Sequence, residues 1–153
     1  MRIVRLFLFF TAMACLSAKG DTISSTDPSS VVTALQDLGY RAKLETNDEG
    51  RPVIRSAAAG SSFSIYFYAC NNDKNCKDIM FFTWFETETP LSLEAINSWN
   101  ANKLTGKAYI DDDGDATIEF LLAGVQDVSE LDFKQIMYRW DQALGEFIDF
   151  IDW

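Results

Sequence analysis

Of the five carboxylates in the stretch 111–119, four stand at alternating or strand spacing: Asp111, Asp113, Asp115 and Glu119. Acidic side chains at alternating positions of a tight loop imitate the first oxygen ligands of a calcium loop, and grouped carboxylates can also share acid and base roles in hydrolysis. The calcium pattern breaks where it is strictest. Its sixth position is Ala116 instead of glycine, and its twelfth is Leu122 instead of a bidentate glutamate. A solvated turn accounts for the run better than a metal site; a carboxylate- or metal-dependent periplasmic hydrolase is the alternative function that these residues keep open. Glu130, Asp132, Asp141, Glu146 and Asp149 add further carboxylates without a spacing that designates an acid–base pair, and they read as a solvated helix face.

Other chemistry is scarce. The chain has no histidine, which removes the usual general base and the commonest metal ligand. Cys70 and Cys76 have five residues between them rather than two, so they lack the spacing of thiol oxidoreductases and read as a structural disulfide. Asn97 and Asn100 share a helical face with Leu93, Ile96 and Leu104, and amides on such a face need hydrogen-bond partners if buried. Capping of a neighbouring strand's backbone satisfies them more simply than a ligand does. Trp99 and Trp140 read as packing residues.

The elements that must position these groups follow from periodicity and turn chemistry. Asp27-Pro28 starts a helix carrying Val31, Ala34, Leu35 and Leu38 on one face, with Gly39 as its C-terminal cap. Residues 41–45 and 52–57 form a hairpin around Asn47-Asp48-Glu49-Gly50, and Pro52 places the second strand at a sheet edge. Ser61 to Ala69 and Lys77 to Phe85 are the strongest strands. If Cys70 faces Cys76, Phe67 faces Ile79, Ile65 faces Phe81 and Phe63 faces Thr83 on a core side. The other side then shows Tyr68 beside Asp78, Tyr66 beside Met80, Ser64 beside Phe82, and Trp84, together with the two cysteines. A second helix opens at Pro90 to Ser92. Lys107 to Ile110 and Ala116 to Leu122 pair through Asp113-Gly114, and Ser129 caps a long final helix bearing Phe133, Ile136, Met137, Trp140, Leu144, Phe147, Ile148 and Ile151. The order α-ββββ-α-ββ-α predicts an α+β domain: an antiparallel sheet of about six strands with helices on one face.

Composition places that domain. Of 153 residues, 48% are hydrophobic and 24% charged, which fits a folded globular chain. The net charge of -10 argues against nucleic acid, whose phosphates call for clustered Lys and Arg. Arg2 and Arg5 precede an apolar run from Leu6 to Leu16 that is too short to anchor in a bilayer, and Ala18-Lys19-Gly20 offers small residues for cleavage before Asp21. Residues 1–20 are thus expected to be a signal peptide, 21–26 a polar linker and 27–153 the domain, with no membrane span in the mature chain. The expected location is the periplasm or beyond. Ala12-Met13-Ala14-Cys15 is a weak lipobox, so a lipoprotein attached through Cys15 is the minor alternative.

Asn97-Ser98-Trp99-Asn100, the run Gly106-Lys107-Ala108-Tyr109-Ile110-Asp111-Asp112-Asp113-Gly114-Asp115, and Arg139-Trp140-Asp141 resemble the YbjN domain family, whose members are labelled bacterial sensory transduction regulators. The resemblance spans Asp27 to the C-terminus. It implies a fold like that of type III secretion chaperones, a twisted antiparallel sheet with helices against it, and a tendency to dimerise. It brings no catalytic residues and no cofactor. The expected function is a non-catalytic exported binding or regulatory module, a sensory transduction regulator or chaperone-like adaptor. It would present Tyr66, Tyr68, Met80, Phe82 and Trp84 to an unknown protein partner or to a second copy.

Overall fold

Alternation of apolar and polar residues at strand period, broken by three runs at helical period, folds into one sheet with the described helices on the same side. The computed structural model describes residues 22–153; the expected signal peptide and Cys15 lie outside the described residues. The elements are α1 (Pro28–Asp37), β1 (Ala42–Thr46), β2 (Pro52–Ala58), β3 (Ser61–Tyr68), β4 (Asp78–Phe85), α2 (Leu93–Asn102), β5 (Lys107–Ile110), β6 (Ala116–Leu122) and α3 (Glu130–Ile151). The six strands lie antiparallel in the order β1-β2-β3-β4-β6-β5, which is the α+β architecture expected.

β3 and β4 pair as Ile65↔Phe81 and Phe67↔Ile79, the register that the cysteines imply. Phe63, Ile65, Phe67, Ile79 and Phe81 are buried in the core with Phe133, Met137, Trp140, Leu144 and Phe147 of α3 and Val31 and Leu35 of α1. Trp140 sits at its centre, its ring 5.5 Å from those of both Phe63 and Phe81. The helix ends follow their sequence signals: the Asp27 carboxylate accepts from Ser29 N–H, and the Ser129 hydroxyl from Asp132 N–H. No helix among the described residues is long and apolar enough to cross a membrane.

Four local expectations are corrected. β2 is an interior strand, because Pro52 pairs only with Thr46 of β1 and the ladder to β3 begins one residue later, at Val53↔Tyr66. The missing proline N–H thus falls beyond that ladder. Of the expected linker 21–26, the described residues 22–26 are not free: Ile23 is buried and exchanges backbone hydrogen bonds with Val128, while the buried Ser25 donates its N–H to the Val125 carbonyl. Cys70 and Cys76 form the disulfide but do not lie on the outer side, since the ladder ends at Tyr68↔Asp78 and Ala69 turns into the left-handed region, φ +52°; Cys76 is in the core. In α2, the buried face is Ile96 and Trp99, whereas Leu93, Asn97 and Leu104 are exposed.

Candidate functional site

Register fixes which side chains share the sheet face away from the helices. One row across it reads Lys43, Arg55, Ser64, Phe82, Glu119, Lys107; the next reads Glu45, Val53, Tyr66, Met80, Leu121. On the other flank, Ala57 pairs with Ser62, and Trp84 with Thr117 and onward to Tyr109. The five aromatic and sulfur side chains singled out from the sequence therefore stand together. Tyr66, Met80 and Phe82 are half-buried, while Tyr68 is 40% and Trp84 54% exposed. Tyr66 and Phe82 meet edge to face at 5.7 Å, a packing that pins both rings.

The sheet forks on this face. The β3–β4 ladder stops at Ser64↔Phe82, yet β3 continues against β2 to Ser61↔Ala58 and β4 against β6 to Phe85↔Ala116. The Thr83 hydroxyl donates to the Ser62 carbonyl at 2.8 Å near the end of the ladder. A groove of about 570 Å³ opens there, bounded by Arg55, Ser62, Ser64, Tyr66, Phe82 and Trp84.

Charges flank the aromatic strip in local pairs. Glu45 takes Lys43 at 2.9 Å and Arg55 at 3.4 Å, and these contacts, Lys43 first, hold its carboxyl below the ordinary range. Arg55 also donates to the Ser64 hydroxyl and lies over the Tyr66 ring. On the opposite flank Lys107 pairs with Glu119 at 2.8 Å and covers the Tyr109 ring. Burial, then the Glu119 charge, raises the Tyr68 and Tyr109 hydroxyls above their usual pKa, so both stay neutral donors.

The Asp-rich hairpin has a different job. Asp111 accepts from the N–H groups of Asp113 at 3.1 Å and Asp115 at 2.9 Å, an Asx turn that shapes the loop. Burial, then the charge of Asp111, pushes the Asp115 carboxyl up. Glu119 is engaged with Lys107 on the outer sheet face. Among the described residues, no three acidic or cysteine side chains converge on a metal-sized site.

Asn97, Trp99, Asn100 and Gly106 also separate. The Asn100 side chain accepts from Ala108 N–H and donates to Ala108 C=O, each at 2.9 Å, and so occupies the free backbone edge of β5. Trp99 Nε1 donates to the Gly106 carbonyl at 2.7 Å. Gly106 has φ +82°, and a Cβ there would meet Ile118 Cδ1 at 2.7 Å. These residues lock α2 to the last hairpin. Asn97 is exposed and takes no part. Ser64 stands beside Phe82 as the register predicts; sequence reasoning missed Arg55, Ser62 and Lys107 as members of the outer face, although strand alternation alone could have placed Ser62 there with Ser64.

The sequence signature of the YbjN family, described as "Putative bacterial sensory transduction regulator", matches residues 27–153. The chain belongs to the YbjN family. The crystal structure of YbjN from E. coli superposes with a TM-score of 0.61 at 17% identity, covering 83% of this chain and 92% of that one. The Yersinia pestis type III secretion chaperone SycH, solved in complex with a stable fragment of YscM2, gives a TM-score of 0.48 at 18% identity, over 80% of this chain and 98% of that one. No curated protein matches the sequence. For this YbjN-family chain, the residues that carried the sequence resemblance, Trp99, Asn100, Gly106, Asp111, Gly114, Asp115 and Trp140, lie in the core or hold turns and edges; the aromatic face lies elsewhere.

Proposed function

We propose that this YbjN-family protein is a non-catalytic binding and regulatory module, working after export, whose outer sheet face is the contact surface for a protein partner. The observation that carries this is the one-sided placement of the helices: among the described residues all three pack on the inner face, and none of those residues covers the strip Tyr66, Met80, Phe82, Trp84 and Leu121. Contiguous apolar surface with a charged rim is what protein interfaces are made of. Export is supported by the apolar N-terminal segment and by the Cys70–Cys76 disulfide, a bond that persists in oxidising compartments.

The test is crosslinking in the exporting cell, comparing wild type with Trp84→Glu. A crosslinked protein complex in the wild type that the variant loses, while the variant is still exported and folded, is the expected result. Identical crosslinking in both would overturn the assignment of the face.

A further inference from the structure

We infer that the outer face docks against the outer face of a second copy of this chain, about a two-fold axis parallel to the strands and midway between β3 and β4. This rests on the binding-face assignment above and names its occupant.

The edges of the sheet are poor places for association. Asn100 takes the free backbone of Ala108 on β5, and Gln36 Nε2 donates to the Ala42 carbonyl on β1, which also carries Lys43 and Glu45. The face remains.

A chain of net charge -10 repels its copy almost everywhere. On the outer face the strands carry Lys43, Arg55 and Lys107 against Glu45, Asp78 and Glu119, so this surface is locally neutral within an acidic protein. It is where two copies can approach without that penalty.

The rows are also self-complementary. In the order β2-β3-β4-β6 the proposed axis lays β2 of one copy on β6 of the other, and β3 on β4. Arg55 then faces Glu119 of the second copy, twice by symmetry. Within one copy these residues stand three strands apart, about 14 Å at roughly 4.8 Å per strand, too far to pair. Small faces large in the same arrangement: Ser64 lies under the second copy's Phe82, and the groove at Ser62 receives the second copy's Trp84. Tyr66 meets the second copy's Met80. Lys43 and Lys107 would oppose each other only at the rims, where each lysine keeps its own glutamate and solvent screens the two charges.

Charge reversal tests the pairing. Arg55→Glu and Glu119→Arg should each put like charges together twice and weaken self-association by roughly tenfold or more. An equimolar mixture of the two variants should restore it, because every cross-copy contact is then attractive. Sedimentation velocity over a micromolar concentration series, with circular dichroism melts to show that both variants fold, reads this out. Wild type that remains monomeric, variants that associate like wild type, or a mixture that stays monomeric would each overturn the second copy as occupant. The binding-face assignment fails separately: it falls only if Trp84→Glu also leaves every crosslinked complex unchanged.

Discussion

The backbone N–H of Ala59 donates to the carboxylate of Asp141 at 2.9 Å, tying the β2–β3 turn to the middle of α3. Ala59 and Gly60 both have positive φ, +47° and +81°, the conformation of a tight hairpin turn that only the second residue adopts without strain. Asp141 thus holds a strained alanine in place. Asp141→Ala should cost about 1 to 2 kcal/mol in chemical denaturation, and Ala59→Gly should recover up to about 1 kcal/mol.

Gly106→Ala should be the most damaging small substitution in the protein. It combines a left-handed backbone with a Cβ placed 2.7 Å from Ile118 Cδ1, and Ile118 is completely buried. A loss of about 2 to 4 kcal/mol is expected. In Gly106→Ala/Ile118→Val the clash is relieved and the backbone strain is not, so the double variant should melt above the single one.

The Asp-rich hairpin should respond to loss of the Asx turn and not to calcium. Asp111→Ala removes the acceptor for two N–H groups and should cost about 1 to 2 kcal/mol, with Asp113→Ala near neutral. Asp115 has a raised carboxyl pKa, so the folded state holds its proton more tightly than the unfolded chain does. Its contribution to stability is therefore favourable in acid and is lost as pH rises through the folded value. Asp115→Asn should melt slightly higher than wild type at neutral pH, and that advantage should vanish in acid. A calcium-dependent rise in melting temperature, abolished by Asp113→Ala, would count against the turn assignment.

Reduction of Cys70–Cys76 should leave the fold intact. The bond joins residues separated by 6 in sequence, and closing so short a loop contributes about 2 kcal/mol. The Ser25 hydroxyl, which lies between the carbonyls of Cys76 and Val125, holds the same region independently. Differential scanning calorimetry should show a melting point lowered by about 5 to 10 °C on reduction, and a further loss in Ser25→Ala.

How much of this was legible beforehand depended on whether the physics was local. The β3–β4 register is readable because two cysteines and an alternating pattern constrain the same ladder. The side on which those cysteines lie is not, since the turn at Ala69 that sends them into the core leaves no mark in composition. Pro52 correctly marks a ladder end, but edge and interior differ only through the presence of β1. Ile23 and Ser25 look like linker because their partners lie around Val125 and Val128, 100 residues away in the case of Ser25. For the site, alternation shows the aromatic half of the outer face. The relation of Arg55 to Glu119 needs the order β4-β6-β5, which is set by tertiary packing and is invisible to periodicity.

The two faces of β4 should part company under the same substitution. Phe81 is fully buried against Phe63 and Trp140, whereas its neighbour Phe82 looks outward and Trp84 is 54% exposed. An unpaired charge in the core costs several kcal/mol against a total stability of about 5 to 15, so Phe81→Asp should abolish the cooperative melt. Phe82→Asp and Trp84→Glu place their charges where water can reach them in the free protein. Both should melt cooperatively, Trp84→Glu within about 1 kcal/mol of wild type and Phe82→Asp about 1 to 3 kcal/mol lower through its lost packing on Tyr66, and both should lose association, since a carboxylate at the centre of an interface has to be desolvated without a partner. Circular dichroism melts and light scattering on the three variants read both quantities. Loss of the melt in Trp84→Glu would place that side chain in a core, and unchanged association in both outward variants would remove this face from the protein's function.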